Sequence, residues 1–164
     1  MSPSRKLLIV GGLLLVILGM TYGLYYALFD EHQTLETITV SLARSFSLAA
    51  GKDMDASRAA LDAYAAAKFE YVREVDVHSH WSGLALLLII FGIIFDQVAY
   101  PEHVRRFLAG AMVAGSFLFP AAVLLQTFNQ GIVPKALAAV AAALLIVSMS
   151  AVAAGFARAK DTQE

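Results

Sequence analysis

The 164-residue sequence contains no cysteine, and that absence removes several kinds of chemistry together. No disulfide framework, thiolate metal site, CxxC redox pair or cysteine nucleophile can exist, so a bound metal would need His, Asp, Glu or Met as ligands. Charge is also scarce. Asp, Glu, Lys and Arg make up 15% of the chain and apolar residues 59%, whereas a soluble domain is about a quarter charged. With a formal net charge of −1 there is no concentrated basic face, which excludes nucleic acid as an expected partner. Of the 4 prolines none falls between residues 30 and 77, so that stretch lacks helix breakers. GxGxxG, P-loop and HExxH patterns are missing, as is any Ser/His/Asp arrangement in a plausible context. Nothing therefore points to an enzyme.

In place of charge the chain has four long apolar runs. Those at about 7–29, 80–97, 107–125 and 136–157 are each long enough to cross roughly 30 Å of hydrocarbon, and residues 82–95 carry no ionisable side chain. The expected fold class is an all-α membrane protein, a single membrane domain over residues 1–164 with four transmembrane helices. Arg5 and Lys6 ahead of the first run also fit a secretory signal. No small-x-small cleavage site closes the run near residues 21–23, so it reads as an uncleaved anchor. Arg5, Lys6, Arg105, Arg106, Arg158 and Lys160 all flank one side in this scheme, and the opposite turn at residues 126–135 carries only Lys135. The positive-inside rule then puts both termini in the cytoplasm of a bacterial inner membrane and residues 30–79 outside it. Expected partners are the lipid bilayer and either other membrane-protein subunits or further copies of the chain.

Residues 30–79 form the only long polar segment. Leu35, Ile38, Leu42, Phe46 and Ala49 recur at spacings of three and four, the pattern of an amphipathic helix. Gly51 is placed to end that helix, and Asp53 or Asp55 to cap the next. Leu61, Ala65, Val72 and Val75 mark a stripe on a second helix that runs unbroken into the span beginning near His80. The two stripes are expected to pack on each other as an extracytoplasmic helical hairpin between spans one and two. A loose loop with nascent helices is the alternative.

Such a hairpin, turning at residues 51–54, brings Glu31 and His32 level with Glu74, with His78 one turn nearer the membrane. Imidazole and carboxylate at that density suit Cu, Zn or Fe, which makes Glu31, His32, Glu74 and His78 candidate metal ligands. His78 and His80 are candidate axial ligands to haem, although histidines two apart on a helix point about 200° apart and cannot share one metal. Glu31 lies on the apolar stripe of Leu35 and Ile38, where a carboxylate needs a cation, a histidine, a metal or a proton. The Glu70, Glu74 and His78 row lies mostly beside or behind the Leu61/Val72 stripe, as a solvated face does. Other readings of these residues are a proton-linked or quinone-head-group role, or a plain interface belt anchored by Trp81, Tyr22, Tyr25 and Tyr26.

The run VHSHWSGLALLLIIFG at residues 77–92, followed after the third span by QTFNQG, resembles uncharacterised small bacterial four-span membrane proteins whose second span opens with His-x-His. The resemblance implies four helices with His78 and His80 at the outer face. This chain departs from it by its much longer hairpin. The resulting expectation is a binding or accessory protein with a metal or haem at the outer membrane face. The competing expectation is a structural subunit of a larger membrane complex, with the hairpin as docking surface. A transporter or enzyme would need an ionisable residue within the spans, and residues 82–95, 107–125 and 136–157 hold none.

Overall fold

The computed structural model describes residues 1–160, and these are almost entirely α-helical. Ser2 caps α1 (Pro3–Phe29) by accepting the Arg5 N–H at 3.3 Å, and Pro3 sits in the first turn, where its missing N–H costs nothing. α1 stops at Asp30, whose φ is −116°, and α2 (Glu31–Ala50) starts at the next residue. The two helices are consecutive, with a single break. Gly51 ends α2 as expected, but the left-handed position of the turn falls on Lys52, φ 64°. Asp53 then caps α3 (Met54–Ile94), accepting the Ala56 N–H at 3.2 Å. The 41 residues of α3 span about 62 Å. A short 3-10 turn, Phe95–Gln97, and Pro101 lead into α4 (Glu102–Phe128), and α5 (Ile132–Lys160) follows. Four of the helices, α1, α3, α4 and α5, are long and apolar enough to cross a membrane.

α3 lies antiparallel to both α1 and α2 and meets them through one repeating seam. Ala60, Ala67, Glu74, Trp81 and Leu88 recur every seven residues, with Tyr71, His78, Ala85 and Gly92 interleaved, which is the heptad spacing of a left-handed coiled coil. Leu8, Leu15 and Tyr22 answer on α1, and Ser41 and Leu48 on α2. From Tyr26 to Thr34, the next inward position, the step is one residue longer than the repeat allows. The helix break at Asp30 lies inside that step and absorbs the extra residue.

This seam is not the one that the apolar stripes predict. Leu35 and Phe46 on α2, and Leu61, Ala65, Val72 and Val75 on α3, are exposed, while Ile38, Leu42 and Ala49 of the α2 stripe are half-buried. Between the two helices lie Ser41, Ser45, Ala60 and Ala67, and Ser57 Oγ donates to the Ser45 carbonyl at 2.8 Å. Small side chains let the backbones approach closely. The buried hydroxyls lose nothing, since Ser41 and Ser45 donate to their own helix, at Thr37 O (2.6 Å) and Leu42 O (2.8 Å). The row of Glu74 and His78, expected to lie beside or behind the stripe, is part of the contact face.

α4 packs against α1 and α3, and α5 against α4. At the terminal end of the bundle, Arg5 and Arg105 both pair with Asp96, at 3.4 and 3.7 Å. Glu102 accepts the Ser4 N–H at 3.0 Å, a carboxylate set on the positive end of the α1 dipole. The Ala99 N–H donates to Gly155 O at 3.1 Å, which ties α5 to the same end.

Candidate functional site

Where α3 leaves the bundle toward α2, the seam becomes polar and aromatic. The Tyr22 hydroxyl donates to the Glu74 carboxylate, and the Tyr22 ring stands edge-on to Trp81 with centroids 5.4 Å apart. Trp81 is 4% exposed and so is no lipid-facing anchor. Its indole N–H donates to Phe117 O at 3.3 Å, in the turn of α4 that Pro120 deprives of a backbone donor. His78 Nδ1 donates to Gly19 O at 2.8 Å, and its ring fills the space left by the missing side chain of Gly23. His80 turns to another neighbour: its Nδ1 donates to Asp76 O at 2.6 Å and its ring stands edge-on to Phe119.

The remaining candidates lie elsewhere. Glu31 is half-buried, and His32 is exposed in a shallow groove with Leu35, Glu36, Thr39 and Val40. Among the described residues no group of three or more His, Cys, Asp or Glu is placed to hold a metal ion, so Glu31, His32, Glu74 and His78 are not brought together. Glu74 turns into the seam, where its carboxylate accepts the Tyr22 hydroxyl, and counting from the Ser57 to Ser45 contact sets Glu74 level with Leu28, about 4.5 Å of helix rise from Glu31. The residue that sequence reasoning missed is Tyr22 as partner to Glu74, and its signal was the seven-residue step from Leu8 and Leu15.

Comparison with protein-family models, with curated proteins and with solved structures gives no match.

The hairpin formed by α2 and the first half of α3 has two unlike faces. One carries a groove of about 520 Å³ lined by Glu36, Thr37, Val40, Arg44, Ala59 and Ala63, polar or small apart from Val40. The other carries Leu35, Phe46, Leu61 and Val72, large and open.

Glu74→Leu takes away the acceptor of the Tyr22 hydroxyl where α1 meets α3, so its melting temperature in detergent should fall below that of the wild type, whereas Glu74→Gln keeps an acceptor and should fall less. Equal melting temperatures for the two variants would refute a stability role for this hydrogen bond.

Proposed function

We propose that this chain is a structural subunit of a membrane-protein assembly, and that its α2–α3 hairpin is a docking surface outside the bilayer for helices of a protein partner in the same membrane. The observation that carries this reading is the outward turn of the large apolar side chains, with Phe46 68% and Leu61 48% exposed while serine and alanine fill the contact between the helices. Contiguous apolar surface on a segment that faces water marks an interaction site. The polar atoms of Tyr22, Glu74, His78 and Trp81 each join two helices, which supports a structural role for them as well.

The inner-membrane placement, with both termini cytoplasmic and the hairpin outside, rests on the gathering of Arg5, Arg105 and Arg158 near the terminal end of the bundle. Phe46→Asp tests the docking role. The side chain is exposed, so the melting temperature of the isolated chain should hold, while the mass of the assembly extracted in mild detergent and run on a native gel should fall. An unchanged assembly mass would remove the docking reading.

A further inference from the structure

The exposed stripes of the hairpin repeat with the same spacing as its seam. On α3, Leu61, Ala65, Lys68, Val72 and Val75 each lie one residue beyond an inward position; on α2, Leu35, Leu42, Phe46 and Ala49 do the same. One residue turns an α-helix by about 100°. Because α2 and α3 run antiparallel, the same turn carries both stripes to one side of the hairpin. That side is a two-helix face with heptad spacing and no second layer over it.

Few charges lie on the stripes. Arg58, paired with Asp55 of its own helix, and Lys68 lie on the α3 stripe, and Glu31 heads the stripe on α2, one turn before Leu35. Lys68 Nζ lies 5.7 Å from the Tyr64 ring centre, and among the described residues neither Lys68 nor Glu31 forms an ion pair within the chain. Counting along the antiparallel pair from the Ser57 to Ser45 contact sets Lys68 level with Thr34, about 4.5 Å of helix rise from Glu31.

Two copies inserted in one bilayer with the same orientation keep every residue at its own height and are related by a two-fold axis along the membrane normal. Rotation about that axis lays the apolar face of one hairpin on the same face of the other, with α3 of each copy against α2 of its partner. Lys68 of each copy then meets Glu31 of the other, so the interface complements itself in charge as well as in shape. We propose that the occupant of the hairpin face is a second copy of this chain, forming a four-helix bundle closed by two Lys68–Glu31 pairs. This rests on the docking reading above and specifies its partner.

The test uses the full-length chain in mild detergent, with sedimentation as readout. Glu31→Lys and Lys68→Glu, made singly, each bring like charges together and should weaken dimerisation roughly tenfold. The double variant E31K/K68E restores both pairs with their signs exchanged and should dimerise like the wild type. The absence of native cysteine allows a second measurement. Differently tagged copies, one carrying Glu31→Cys and the other Lys68→Cys, should form a disulfide-linked heterodimer on mild oxidation, whereas Arg44→Cys with Ala59→Cys on the opposite face should not. A wild type that sediments as a monomer at every concentration, or a double variant as weak as the single ones, overturns the self-pairing. If that happens while Phe46→Asp still lowers the mass of the native assembly, the hairpin docks a different protein; if Phe46→Asp is also silent, both readings fall.

Discussion

Gly12→Leu should separate α1 from α3 and lower stability by about 3 kcal/mol, the upper end of what overpacking a close contact costs. A Cβ added at Gly12 would stand 2.9 Å from the Ala85 carbonyl oxygen, which is backbone and cannot rotate aside. Relief would require the helix itself to move, and that movement would reach Trp81 one turn away on the same seam. Trp81 is the single tryptophan of the chain, so its fluorescence during thermal denaturation in detergent follows this contact. Gly83→Leu is the control, because nothing lies within 4 Å of a Cβ there. Equal melting temperatures for the two variants would mean that α1 and α3 do not cross as closely as the geometry at Gly12 requires.

The second large effect is expected in the hairpin, and it reverses the ranking that hydrophobicity suggests. Ala67 is buried in the seam between α2 and α3, whereas Val72 points outward. Ala67→Leu adds volume where the backbones are close and should cost about 1–3 kcal/mol. Val72→Asp puts a charge on an open surface and should change the stability of the separated chain by less than about 0.5 kcal/mol. Amide hydrogen exchange of α2 at low protein concentration, where copies stay apart, resolves the two. Strong protection lost in Val72→Asp and kept in Ala67→Leu would put the apolar stripes back between the helices.

The contrast between Ala67 and Val72 shows why part of this fold is hidden in the sequence. Both stripes of α3 have heptad spacing and differ by one residue, and periodicity alone identifies a face without saying what it meets. Choosing the more hydrophobic stripe as the contact face applies a rule for helices whose partner is already present. Here the connection at Asp30 and the crossing of α1 on α3 set the rotation of both hairpin helices. Ser41, Ser45, Ala60 and Ala67 are carried inward by that rotation, and Leu35, Phe46, Leu61 and Val72 outward.

The candidate site was legible only in pieces. His78 and His80 could be seen to diverge, since two residues on a helix are about 200° apart. The height at which Glu74 meets the other helix could not, because it depends on the antiparallel register. Counting from the turn alone placed Glu74 level with Glu31, whereas the Ser57 to Ser45 contact sets it near Leu28, where its carboxylate reaches the Tyr22 hydroxyl. Trp81 was ambiguous for a related reason. An indole at the end of an apolar run anchors a helix at the lipid surface or fills a seam, and here the neighbouring α4 offers the Phe117 carbonyl.

What the sequence determined by itself was the all-helical class and the four helices long and apolar enough to span a membrane. Uncharged runs of that length leave a backbone in lipid no option but to satisfy its own hydrogen bonds. Punctuation was local too, with Gly51 ending one helix and Asp53 capping the next through their own backbone chemistry. Only the tertiary structure decided which face of each helix turns inward and at what height two side chains meet. Those choices depend on the close approach of α1 to α3 at Gly12 and on the single break at Asp30. A rotation of about 100° or a slip of a few residues changes every contact while leaving the local pattern of each helix unaltered.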